Sequence, residues 1–278
     1  MTRFLPCFAA LLTFTVGSQM ANAAVVFTQD FETDTSGWFD DDDNAGYGDI
    51  SQVASGTNGI MSKSGSYHAL VTDDTPNGAT AGDTVGPFTR FDGYRSEWPG
   101  GMTASLDIYL DANWTAGEGF DYSVAANGSD GNHQRDFIFH VTKDTSTGML
   151  LVGGSNNSSN ALPREDLESL NYYEVANSGW YTFEHDFYDA GDGTLAVDLN
   201  LRDDVGNLLF TETRNSLADI LATEVGGNRY GWFTLVNVDG GIAVDNASLS
   251  AVPEPGSLAL CTLGGLFGSA VYLRCRWA

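Results

Sequence analysis

The sequence predicts an all-β protein, a two-sheet antiparallel jelly-roll sandwich set between an export leader and a short membrane-spanning tail. Three observations predict it. Apolar and polar residues alternate with period two through much of the middle of the chain, the mark of strands with one face in a core. The 33 glycines, with many Asn, Ser and Thr residues, break that alternation at short intervals. Helical periodicity is confined to short segments, so no helical layer is available and two sheets must cover each other.

The chain has 278 residues and divides into 1–23, 24–251 and 252–278. The first segment carries Arg3, an apolar run from Phe4 to Val16 and the small-residue box Ala21-Asn22-Ala23 before Ala24. This is the pattern of a secretory signal peptide, so passage through the secretion machinery and cleavage by signal peptidase after Ala23 are expected. The apolar run is short for a lasting anchor.

Within 24–251, Ala104, Leu106, Ile108 and Leu110 alternate with Thr103, Ser105, Asp107 and Tyr109. Phe120, Tyr122 and Val124 follow the same rule, as do Phe137, Phe139 and Val141. A hairpin is expected from Trp180 to Arg202, with Tyr181, Phe183, His185 and Phe187 inward on one strand and Leu195, Val197, Leu199 and Leu201 on the next. Its turn is Asp189-Ala190-Gly191-Asp192-Gly193. Val205-Gly206-Asn207 then turns the chain into a third strand, Leu208 to Thr213. Strands at Tyr230 to Val236 and Ile242 to Ser250 flank the turn Asp239-Gly240-Gly241. One helix is expected over Ser216 to Thr223, capped by Ser216, with Leu217, Ile220 and Leu221 on one face and Gly226-Gly227 ending it. A short helical turn is expected after Pro163.

The last segment reads Val252-Pro253-Glu254-Pro255-Gly256, an apolar run over 257–273, and the basic tail Arg274-Cys275-Arg276-Trp277-Ala278. Seventeen helical residues would span roughly 25 Å, enough for a thin bilayer. Arg274 and Arg276 hold the end in the cytoplasm and leave the domain outside. The order of motif, span and arginines resembles the PEP-CTERM sorting signal of Gram-negative bacteria. That resemblance implies recognition by an exosortase, cleavage near Pro253-Glu254-Pro255, anchoring in the inner membrane during processing, and transfer to the cell surface or extracellular matrix, often alongside exopolysaccharide. Without the resemblance, the same segment reads as a plain C-terminal anchor.

Charge restricts the partners. The chain has 37 acidic and 12 basic residues, a formal charge of −25. Such a polyanion repels nucleic-acid phosphates and anionic lipids, so no nucleic-acid partner is expected. The three cysteines, Cys7, Cys261 and Cys275, all lie in the end segments, which leaves 24–251 without a disulfide.

A second resemblance concerns the middle. Asp30-Phe31-Glu32 followed by Gly37-Trp38, Gly65 to Leu70, and Ile242 to Leu249 look like strands of concanavalin-like and carbohydrate-binding jelly rolls. It implies adjacent first and last strands, with a structural Ca²⁺ held by Asp30, Glu32 and Asp245 as an expected staple in the absence of disulfides. Ordinary exposed acids are the other reading. The run Asp40-Asp41-Asp42-Asp43-Asn44 offers oxygen ligands too, but Ala45 and Ser51 break the EF-hand spacing, and a solvated acidic loop explains it better than a calcium site. Exposed aromatics stack on sugars in such folds, and Trp98 and Trp114, with Tyr94 and Tyr109, are the candidates. The other reading of each is core.

Catalytic patterns are sparse. No Glu-x-Asp-x-x-Glu run of a sandwich glycosidase occurs, and Glu165-Asp166-Leu167-Glu168 reads as a helix N-terminus. His68, His133, His140 and His185 show no zinc spacing, and His185 shares an inward face with phenylalanines. No Gly-x-Ser-x-Gly elbow is present. The sequence therefore predicts an exported, non-enzymatic surface or matrix protein with glycan contact. A polysaccharide hydrolase on the same fold is the alternative.

Overall fold

The computed structural model describes residues 24–40, 48–72, 85–91, 101–127, 132–156, 163–191, 193–220, 224–225 and 231–251. The leader, the sorting tail, Asp41 to Asn44, Tyr94 and Trp98 lie outside the described residues. Sixteen strands follow in chain order. They are β1 (Ala24–Gln29), β2 (Trp38–Phe39), β3 (Asp49–Ala54), β4 (Tyr67–Thr72), β5 (Val85–Thr89), β6 (Gly101–Leu110), β7 (Gly119–Asn127) and β8 (His133–Lys143). Then come β9 (Leu150–Asn156), β10 (Tyr172–Glu174), β11 (Gly179–Asp189), β12 (Thr194–Arg202), β13 (Leu208–Ile220), β14 (Glu224–Val225), β15 (Gly231–Asn237) and β16 (Ile242–Ala251). Among the described residues the only helical turns are 3-10 turns at Thr57–Gly59 and Leu167–Ser169.

Two eight-stranded antiparallel sheets form the sandwich. The first runs β13-β12-β11-β6-β16-β4-β3, with β1 also on β16, and the second runs β10-β9-β8-β7-β15-β5-β2, with β14 on β7. The expected adjacency of first and last strands is present, from Ala24 opposite Ala251 to Gln29 opposite Ala247. Between the sheets, the inward rows read from alternation all reach the core. Ala104, Leu106, Ile108 and Leu110 of β6 and Phe120 and Val124 of β7 are fully buried. Phe183 of the first sheet meets Phe139 of the second edge-on at 4.9 Å, and Phe187 meets Phe137 at 5.6 Å. Phe31 and Trp38, from the opening motif, enter the same core with ring centroids 6.2 Å apart.

His185 sits in this seam, fully buried, and its Nε2 lies 3.1 Å from the Phe137 carbonyl oxygen, which joins one sheet to the other. Burial holds its imidazole down to about 3, so it stays neutral there.

The β11–β12 hairpin has the predicted register, Phe183 opposite Leu201 and Phe187 opposite Val197. Asp189 closes its turn by accepting the N–H groups of Gly191 and Gly193 at 2.7 and 3.0 Å. Asp203 does the same for Val205 and Asn207 in the next turn.

One expectation is corrected. No helix forms from Ser216: β13 continues to Ile220, with Asn215 opposite Ala196 and Ile220 opposite Thr194 around a bulge. Leu217, one residue of the intended apolar face, is 86% exposed, whereas the strand gains ladder bonds and the Asp219–Arg135 ion pair at 2.6 Å. The strands expected on either side of Asp239-Gly240-Gly241 form, and they belong to different sheets, β15 to the second and β16 to the first. The turn crosses the sandwich, and Gly241, at φ +85°, brings its backbone so near Val71 that a Cβ would lie 2.7 Å from its carbonyl oxygen. The short helical turn expected after Pro163 is a single 3-10 turn, Leu167–Ser169, with Leu167 buried.

Candidate functional site

Inward alternation fixes an outward row on the same strand. On β11 that row is Trp180, Thr182, Glu184, Asp186 and Tyr188, all half-buried. The strand is central, between β6 and β12, so each member from Thr182 to Tyr188 has a ladder partner on both sides, and Trp180 has Tyr109 of β6 on one. Thr182 lies between Asp107 and Arg202, Glu184 between Ser105 and Asn200, and Asp186 between Thr103 and Asp198.

These rungs are closed by side-chain bonds. Thr182 Oγ1 donates to Asp107 at 2.5 Å, Thr103 Oγ1 to Asp186 at 2.6 Å, and the Ser105 and Ser248 hydroxyls meet at 2.8 Å. Asn200 Nδ2 donates to Glu184 and Asp186, while Arg202 Nη2 pairs with Glu184 at 2.7 Å. Thr213 and Tyr188 both donate to Asp198, at 2.6 and 3.2 Å. Burial, with Glu184 alongside, raises the Asp186 carboxyl above its ordinary range. The Tyr188 phenol is also raised, by burial and then by Asp198.

Aromatic rings mark both ends of the row. Trp180 stands edge-on to Tyr109 at 5.7 Å and to His68 at 6.0 Å, and its Nε1 donates to the Met61 carbonyl oxygen at 2.8 Å. Its ring is therefore held in place from three sides. Tyr188 lies eight residues along the strand, roughly 26 Å away at the usual rise. The face presents fixed hydroxyl, amide and carboxylate groups between two aromatic rings.

Of the predicted site residues, Tyr109 stands beside this row and the other described ones fall elsewhere. Trp114 packs edge-on against Phe120 at 6.2 Å, at the rim of the core. Tyr109 is on the outward face, as an outward strand position required. Asp30, Glu32 and Asp245 do gather near one loop, but as acceptors of backbone N–H groups. Glu32 takes those of Ser66 and Tyr67 at 2.9 Å, Asp30 that of Glu32, and Asp245 those of Ser64 and Asn246. Gly65, at φ +59°, lets the loop close on Glu32, whose carboxylate a Cβ would strike. Among the described residues no three His, Cys, Asp or Glu side chains are grouped to hold a metal ion. Hydrogen bonds from Ser64, Ser66 and Tyr67 to these carboxylates bridge the loop to the two chain segments.

The sequence reading did not single out Glu184, Asp186 and Trp180 as candidate site residues. The signal was available, because these residues alternate with the inward row; their two flanking strands were not.

No protein-family model matches the chain, and no curated protein matches it. Solved structures similar to it include the CBM2 module of the Lactobacillus casei BL23 phage J-1 evolved Dit, with 12% identity, a TM-score of 0.46, and coverage of 84% of this chain and 97% of that one. The alginate lyase Aly36B gives 10% identity, a TM-score of 0.44 and coverage of 84% and 99%. The lectin UEA-II complexed with galactose gives 13%, 0.41, and 82% and 99%. Likeness at this level assigns no residue a role.

Proposed function

We propose that this is an exported surface or matrix protein, sorted by an exosortase at Pro253-Glu254-Pro255, whose first sheet holds a neutral glycan without cleaving it. The observation that carries the binding reading is the β11 outer row, two ring faces separated by prearranged hydroxyl, amide and carboxylate partners. Sugars offer apolar ring faces and hydroxyls, which match that alternation. Asp107, Glu184, Asp186 and Asp198 outnumber Arg202 on this face, so a uronate chain is repelled and neutral exopolysaccharide is favoured.

A glycan array with the purified protein tests this. Neutral oligosaccharides should bind, and Trp180→Ala should weaken binding at least ~10-fold, as loss of one anchoring ring does. Equal binding by wild type and variant would reject this face. Sorting is tested separately: in cells lacking exosortase the chain should remain uncleaved in the membrane.

One observation favours hydrolysis as a second reading. Glu184 and Asp186 share a strand face, and the raised Asp186 is what a general acid requires. Against it, Glu184 is paired with Arg202 and both carboxylates accept from Asn200. New reducing ends from a neutral polysaccharide, lost in Glu184→Gln, would establish that second reading.

A further inference from the structure

The outer face of the second sheet carries a different constellation. Asp121 of β7 and His140 of β8 are direct partners in the ladder, and Gly153 of β9 faces His140 on its other side. Ser155 is two residues further along β9, on the same face. Asp121 Oδ1 lies 2.7 Å from His140 Nδ1, and Ser155 Oγ lies 2.6 Å from His140 Nε2. Asp121 and His140 are buried, while Ser155 is half-exposed.

This order has chemical direction. With Asp121 ionised, Nδ1 keeps the ring proton and donates it to the carboxylate, which leaves the Nε2 lone pair facing the Ser155 hydroxyl. Burial raises the Asp121 carboxyl, and the bond from His140 and the charge of Arg164 oppose that rise. Arg164 is itself fixed by Asp166. Gly153 leaves room for Leu167: a Cβ there would lie 3.0 Å from Leu167 Cδ2. Ser155, not His140, is thus the member with access to solvent.

We infer that Ser155 is a nucleophile for ester hydrolysis, with His140 as its general base and Asp121 as the residue that positions His140. In the first step Ser155 Oγ bonds to the ester carbonyl carbon and its proton passes to His140 Nε2. The tetrahedral adduct then expels the alcohol, which takes that proton from His140. Water attacks the acyl-Ser155 ester, again giving a proton to His140. The returned proton leaves with Ser155 as the carboxylic acid departs. Ester and water become alcohol and acid, with no other reactant. The inference is independent of glycan contact on the opposite sheet.

The test is covalent labelling of the purified full-length protein with a fluorophosphonate, read by peptide mass, together with p-nitrophenyl acetate turnover. One adduct at Ser155 is expected, absent from Ser155→Ala. Asp121→Asn should slow both labelling and turnover ~10²-fold or more, the scale of general-base assistance. No adduct at Ser155, an adduct on another serine, or a Ser155 rate unchanged by Asp121→Asn would each overturn the inference and leave a structural network. Because Ser155→Ala removes only a half-exposed hydroxyl, the wild-type and Ser155→Ala pair decides the matter even if Asp121→Asn fails to fold.

Discussion

The two outer faces follow one rule of alternation and end in opposite states. On the first sheet, Glu184, Asp186 and Asp198 stay half-exposed and each is met by hydroxyl, amide or guanidinium groups, as Glu184 is by Arg202 and Asn200. On the second, Asp121 and His140 are removed from water and depend on each other. The first arrangement tolerates loss of a member because water can replace it. The second cannot, since a buried unpaired charge has no substitute partner.

The largest expected effect lies in the seam that both faces share. His185 is neutral in the fold and ordinary when unfolded, so the stability it contributes is present above about pH 6.5 and is lost as pH falls towards 3. The difference corresponds to on the order of 5 kcal/mol. Urea unfolding across that range should show the loss, and His185→Phe should flatten it. An unchanged slope would place the acid sensitivity elsewhere.

Next, Asp121→Ala leaves the buried His140 Nδ1–H without its acceptor and should cost about 1–3 kcal/mol, measured as a lower urea midpoint at neutral pH. Asp245 gives a similar magnitude with the opposite pH sign. Burial, with Asp107 nearby, pushes its carboxyl up to about 6, against the N–H groups of Ser64 and Asn246. Its stabilising contribution is fully present below about pH 4 and is lost as pH rises through 6, up to about 3 kcal/mol. Asp245→Asn should abolish that fall between pH 4 and 6. The smallest effect returns to the first sheet: Glu184→Ala breaks a half-exposed pair and should cost about 1 kcal/mol or less. If Glu184→Ala proved as damaging as Asp121→Ala, the contrast between the faces would fail.

The inward rows were legible because period two is a local property: Phe183, His185 and Phe187 announce their face without knowledge of any neighbour. Sheet membership was not. Nothing near Asp239 tells that β15 and β16 part company there. Asp121, His140 and Ser155 are separated by 19 and 15 positions and meet only through ladder register. The Trp180 to Tyr188 row was present as the complement of the inward row, but its rungs come from β6 and β12. Ser216 misled because its capping signal is real in isolation, whereas the ladder with β12 supplies competing bonds.

The pairing of β1 with β16 has a mechanical consequence. Ala24 and Ala251 face each other at one end of that antiparallel ladder, so tension between them opens it one rung at a time. A chain gripped at both ends would unzip at low force, beginning with these two residues. Hung from residue 251 alone, the same domain bears drag without loading β1, and the weakest direction of the fold is never pulled.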